Sequence, residues 1–486
     1  MDTVKRIAKN TTVLILSSVI GGLFNILFIM YTARYLGAEG FGVLSFALAL
    51  TVIFDVITNF GYNELIVREV ARNKSMIDKY IQNILAIRFI LIIIIFGLIV
   101  LILKLLDYPW ETTVVVYLIA LSMMIGSLTK IFYSIFQAFE KMEYQAIGSI
   151  LNNILLLCGA LFAISQNFSI IGFALLYFFI SILILIYVYI VSFLKFSPPK
   201  LQVDLSFWKI TIKNAWPFFL LGFVNIIASK IDVVMLSVLK GDLVVGWYSA
   251  SYKFIEVLLF IPIAFVGSIY PVLSNYYISS KESLYLIYEK SIKYLFAISL
   301  PIAVGTTLLA DKIILFVYKT EFTHSIIALQ ILIWAIPIMF LTYMYGTLLA
   351  SVNKQKLAFI ISFLCMLLNV VTNLIFIPKY SYIASSIATI ITSLLSLILC
   401  YYFISKLVYK IQIHKFIAKP VIACIIMCFF VFYFNEINLF FLISLSIFIY
   451  LFVFILIKGF SKEDFLMIRQ IVNINPKKKR NNGDNG

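Results

Sequence analysis

Charge is what this chain has least of. Asp, Glu, Lys and Arg make up 12% of its 486 residues and histidine occurs twice, while 63% of the residues are hydrophobic. So little polar surface excludes a water-soluble globule of this length, because nothing would cover its exterior. The five cysteines, Cys158, Cys365, Cys400, Cys424 and Cys428, all lie in apolar stretches with neither CxxC spacing nor histidine neighbours. They read as small hydrophobes and not as disulfides, metal ligands or nucleophiles. There is no Walker-type phosphate loop, no Ser/His/Asp or Cys/His set and no DxD-like acidic pair. Neither ATP hydrolysis nor sugar transfer therefore has residues to carry it, and no metal or cofactor is expected.

What fills the chain is apolar sequence in fourteen stretches, roughly 12–33, 41–60, 84–106, 114–137, 148–166, 170–194, 215–239, 247–276, 291–310, 326–351, 357–377, 383–405, 418–435 and 439–457. Each approaches the ~20 residues that a helix needs to cross a bilayer. Lys5, Arg6 and Lys9 before the first run mimic a secretion signal, but the run is long and no small-residue cleavage site follows. It reads as an uncleaved span. Counting Lys and Arg in alternate connections gives 28 on one side and 6 on the other, with 4 inside spans, which accounts for all 38. This asymmetry predicts a multi-pass cell-membrane protein with both termini in the cytoplasm. It also explains the net charge of +16 without nucleic acid, since the basic groups sit where anionic membrane lipids attract them.

The chain repeats. Gly37-Ala-Glu-Gly-Phe-Gly42-Val-Leu-Ser45 matches Gly241-Asp-Leu-Val-Val-Gly246-Trp-Tyr-Ser249 at an offset of 204 residues, and Asn10 matches Asn214 at the same offset. Six spans separate the copies, an even number, so the two halves enter the membrane in the same direction about an axis along its normal.

The stretches ARYLGAEGFGVLSFALA, GYNELIVREVARNK, FQAFEKMEYQAIGSILNN, the run from Lys230 to Tyr277, and NLIFIPKYSYIASSIATIITS resemble the polysaccharide biosynthesis flippases. These are the Wzx-like branch of the multidrug/oligosaccharidyl-lipid/polysaccharide (MOP, MATE-like) superfamily. The resemblance runs to about residue 405 and is strongest around spans 1–2 and 7–8. It implies an all-α polytopic membrane protein with a six-helix lobe over 1–200, a second over 201–410, two further transmembrane helices over 411–460 and a basic cytoplasmic tail over 461–486. The lobes would enclose a central cavity open alternately to each side. The implied substrate is a polyprenyl phosphate or pyrophosphate carrying an oligosaccharide, with glycan-assembly proteins as further partners.

Only the polar, anionic head of such a lipid needs a protein path, with cations for phosphate and amides or hydroxyls for sugars. Candidates inside spans are Asn25 in span 1, Asp55 and Asn59 in span 2, Arg88 in span 3, Lys130 in span 4, Lys230 and Asp232 in span 7, and Lys253 and Glu256 in span 8. Lys253 and Glu256 are three apart and share a helix face, whereas Lys230 and Asp232 point in different directions. The spacing predicts an Asp232–Lys253 pair, which is either a phosphate or ion site or a tie between spans 7 and 8. Asp55 and Asn59 share a face, fit for coupling to H+ or Na+ or for plain helix packing. Lys130 reads as a cavity cation or a snorkelling one. Arg34 reads as an interfacial anchor, and His324 and His414 as solvated. Pro262, Pro271 and Pro337 mark expected kinks.

The expected function is an ion-coupled flippase that moves the lipid-linked oligosaccharide to the outer leaflet. The alternatives are a drug exporter or peptidoglycan-precursor flippase of the same superfamily, or a membrane glycan polymerase or ligase. Apolar cations would favour acidic cavities, while here lysines stand beside the acids. A polymerase needs a sizeable outer loop, and the longest, 311–325, is short.

Overall fold

In lipid every backbone N–H and C=O must be paired within the segment, so apolar runs of this length become helices. The computed structural model describes residues 3–195, 203–409, 414–434 and 436–460, and all its regular elements are helical. The basic tail 461–486 lies outside the described residues, as do the side chains of Lys5, Arg6, Lys9, Asn10 and His414. In chain order the α-helices are α1 Thr3–Asn59, α2 Tyr62–Arg72, α3 Ile77–Leu105, α4 Trp110–Ala138, α5 Met142–Ser165, α6 Ile170–Lys195, α7 Leu205–Lys240, α8 Asp242–Leu258, α9 Phe260–Ser279, α10 Lys281–Leu308, α11 Ala310–Tyr318, α12 Ser325–Leu332, α13 Ala335–Ser351, α14 Gln355–Leu407, α15 His414–Tyr433 and α16 Leu439–Leu456.

Among the described residues eleven helical runs are long and apolar enough to cross a membrane. Two of these hold a non-helical residue midway, Gly37 in α1 (φ 69°, ψ −177°) and Ser381 in α14 (φ 54°, ψ −140°). Each stands where the sequence ends one span and begins the next. The apolar part of α15 is shorter, Ile417–Tyr433.

Two expected spans are interrupted. The stretch 247–276 breaks at Leu259 and the stretch 326–351 breaks at Ile333–Trp334, three and four residues before Pro262 and Pro337. A proline removes an N–H and its ring crowds the carbonyl one turn back, so the break falls on that turn. Two expected connections are helical instead. α2 buries Tyr62, Leu65, Ile66 and Val70 on one face, with Arg68, Glu69 and Arg72 partnered on the other. α11 buries Ala310, Ile314 and Tyr318.

The repeat is visible in the backbone. Gly241 (φ 84°, ψ 173°) adopts the extended left-hand conformation of Gly37, and the two corners touch. A Cβ on Gly42 would stand 1.8 Å from the Asp242 carbonyl oxygen, and one on Gly246 would stand 1.8 Å from the Ala38 carbonyl oxygen. Shifting either contact by 204 residues gives the other, so α1 and α8 meet through the same surface on each. Glycine is required because the helix backbones themselves are in contact.

α1 packs on α4, α5, α7 and α8, while α14 packs on α7 and α13. α15 and α16 pack on each other and on α10. α7 bridges the halves. At its start Asp204 caps the helix by accepting from the Phe207 N–H at 3.0 Å, and pairs with Lys79 of α3 at 3.4 Å. The Asp204 N–H and Trp208 Nε1 both donate to Asn83 Oδ1, at 2.8 and 2.9 Å. Above all the Phe207 N–H, and then Lys79, holds the Asp204 carboxyl below the ordinary carboxylate range.

Candidate functional site

Three polar clusters interrupt the apolar interior, each joining side chains from at least two helices. The first joins α1 to α4. Lys130 Nζ donates to Asp55 Oδ2 at 2.5 Å; Asp55 is nearly buried, while the lysine side chain is 47% exposed. One turn away is Arg88, a fully buried cation. Its Nη1 donates to the Ser127 carbonyl, and its Nη2 to Asn59 Oδ1 at 2.9 Å and Asn63 Oδ1 at 3.1 Å. Arg88 and Asn59 thus meet, but as an enclosed tie between α1, α2, α3 and α4. Asn25 is exposed on α1, and neither cluster receives it by hydrogen bond.

The second cluster joins α7 to α8. Glu256 takes both lysines: its Oε1 accepts from Lys230 Nζ and its Oε2 from Lys253 Nζ at 2.7 Å. All three side chains are partly open, at 23% for Lys230, 28% for Lys253 and 31% for Glu256. Lys230 Nζ also stands 5.8 Å from the centre of the Tyr252 ring, a face that attracts cations. The first cluster approaches this one along α7, since a Cβ on Gly222 would touch Val56 at 3.6 Å and Lys230 lies ~12 Å further along the helix.

The expected Asp232–Lys253 pair does not form. Asp232 is buried on the opposite side of α7 and accepts from Tyr248 Oη at 2.9 Å, Asn373 Nδ2 at 2.9 Å and Thr389 Oγ1 at 3.3 Å. Residues two apart on a helix diverge by about 200°, so Asp232 points away from the lysines, toward α14 and Tyr248 in the first half of α8. This third cluster borders a cavity of about 190 Å³ whose lining residues include Asn225, Thr342, Asn369 and Ser393. The side-chain amide oxygen Oδ1 of Asn373, beside it, is buried without a hydrogen-bond partner.

Arg34, read from the sequence as an interfacial anchor, ties the two halves of the chain together. Its Nε donates to the Val317 carbonyl at 2.8 Å and its Nη2 to the Phe316 carbonyl, capping the last turn of α11 from the other half of the chain. Ser127, Asn63, Tyr248, Asn369, Asn373 and Thr389 escape the sequence reading. For Asn369 and Asn373 a signal exists: two amides four apart in an apolar run share one helix face.

Two halves of long apolar helices, crossed at twin glycine corners and holding charged clusters within, have counterparts among solved structures. The chain is similar to the lipid II flippase MurJ in its inward closed conformation, with TM-score 0.74 and 18% identity over 96% of this chain and 100% of that one. It is also similar to an inward-facing multidrug resistance MATE family transporter of the MOP superfamily, with TM-score 0.64 and 15% identity over 79% of this chain and 95% of the other. The fold is that of the MOP-superfamily membrane transporters. Within that class the chain belongs to the polysaccharide biosynthesis protein family, whose model matches residues 7–277; the MatE model matches 217–375. A relative in Haloferax volcanii, named "Probable low-salt glycan biosynthesis flippase Agl15", is 21% identical over 412 residues, 83% of this chain and 84% of that one.

Proposed function

We propose that this flippase carries a polyprenyl-(pyro)phosphate-linked oligosaccharide from the cytoplasmic to the outer leaflet by alternating access, with a cation moving through the Asp232 cluster as the coupling ion. The observation that carries the reading is charge balance. Four cations, Arg88, Lys130, Lys230 and Lys253, stand against three carboxylates, Asp55, Asp232 and Glu256. Together they are positive by one, as is the partly open Lys230–Lys253–Glu256 triad by itself, and each ionised group near a bilayer centre costs about 2.5–3.5 kcal/mol. A surplus of cations suits a diphosphate head and repels the apolar cations that a drug exporter would carry. The Asp232 carboxylate and the unpartnered Asn373 side-chain amide oxygen supply hard oxygen donors fit for Na+ or a proton.

Proteoliposomes holding a polyprenyl-diphosphate saccharide with a fluorescent sugar test both parts, with membrane-impermeant dithionite reporting the leaflet. Translocation is expected from the wild-type protein, is lost in Lys230→Gln/Lys253→Gln, and loses its dependence on an imposed ion gradient in Asp232→Asn. Wild-type rates in the double lysine variant would end the substrate reading. Unchanged gradient dependence in Asp232→Asn would end the coupling reading.

A further inference from the structure

Resting on that reading, we propose that Glu256 is a built-in stand-in for the substrate's phosphate: it occupies the two-lysine site when the carrier is empty and yields it when the diphosphate arrives. One carboxylate offers one oxygen to each of two ammonium groups on two helices, Oε1 to Lys230 of α7 and Oε2 to Lys253 of α8. A phosphate group presents the same pair of oxygens with more charge. The site is partly open, so an arriving anion reaches it without unfolding a helix. The nearest other carboxylate on α7, Asp232, is committed to Tyr248, Asn373 and Thr389 on the far face and leaves the lysines alone.

The chemical advantage is release. Two bare lysines would hold a diphosphate tightly, and a carrier must bind well enough to load yet weakly enough to unload. Glu256 competes from the next turn of the same helix as Lys253, so every departure of the head is assisted by an anion already tethered at the site. A carboxylate held between the two lysines of the empty site also lessens the repulsion of two like charges facing each other in a low-dielectric interior, leaving a net charge of one. The requirement for two oxygens and more than one negative charge then selects phosphate heads over single carboxylates.

Calorimetric titration of the full-length protein in nanodiscs tests this, with geranylgeranyl diphosphate as the probe and geranylgeraniol as the uncharged control. The diphosphate is expected to bind Glu256→Gln about tenfold more tightly than wild type, while Glu256→Asp stays near wild type and Lys230→Gln and Lys253→Gln bind weakly. Because Glu256→Gln leaves two lysines unpaired and strains the fold, Lys253→Gln/Glu256→Gln is the second variant. Freed of its competitor, Lys230 should bind the probe more tightly there than in Lys253→Gln alone. Equal or weaker binding in both Glu256 variants than in their parents overturns the stand-in, since Glu256 would then orient the lysines. Binding indifferent to the lysines overturns it as well, with the substrate class intact. No diphosphate binding in any variant removes the substrate class along with it.

Discussion

At the scale of single residues, the price of ionisation in lipid made the site residues legible and the absence of interhelical information hid their partners. Arg88, Lys130, Lys230, Asp232, Lys253 and Glu256 stand out in apolar runs because each is costly there. Lys253 and Glu256 meet as their spacing requires. Asp232 misleads because a spacing of two says only that it faces away from Lys230, and not which helix fills the other side. The buried fork of Arg88 carries a prediction. Lysine keeps the charge but has no planar fork to reach Ser127, Asn59 and Asn63 together. Arg88→Lys should therefore cost about 2–3 kcal/mol and appear as a lower unfolding temperature in detergent. Asp204 carries another. Its carboxyl is held below 3.8 in the folded chain, so its contribution is full above that value and is lost as pH falls through the lower folded value. Thermal unfolding scanned from pH 7 to pH 3 should show a steeper loss below about pH 4 in wild type than in Asp204→Ala; parallel curves would remove the cap from the account.

At the scale of helices, hydropathy located the apolar runs, and Pro262, Pro337 and Gly37 marked three breaks, whereas Pro271 lies within the unbroken α9 and the break in α14 falls at Ser381. What it missed were α2 and α11, which are amphipathic or short and so fall below a hydropathy criterion, although the spacing of Tyr62, Leu65, Ile66 and Val70 is that of one helix face. The crossing of α1 and α8 is tested by Gly42→Leu. A side chain directed 1.8 Å from the Asp242 carbonyl cannot be accommodated by rotamer change, so the two helices must separate. Ser249, buried in α8 three residues after Gly246, reports it. With the five native cysteines replaced, Ser249→Cys in detergent should react with a maleimide many times faster when Gly42→Leu is present. Equal rates would mean that the corner does not hold the helices together.

At the scale of the whole molecule, the distribution of lysine and arginine predicts that both chain ends lie in the cytoplasm. Alkaline phosphatase fused after residue 486 should be inactive in intact cells, and activity there would invert the orientation. The repeat was legible as a nine-residue echo at an offset of 204; that its copies touch was not, because sequence periodicity carries no distance. The contact has a historical consequence. An interface in which Gly42 meets Asp242 while Gly246 meets Ala38 is isologous in all but covalent connection, the kind that two identical subunits make across a two-fold axis. A tandem duplication of one unit that paired with itself through this corner would produce such a contact. The two halves now differ in what they carry inside, the Asp55–Lys130 pair in one and the Asp232 cluster in the other. Fragments 1–199 and 200–486 expressed from separate genes should still assemble and co-purify through a tag on either one.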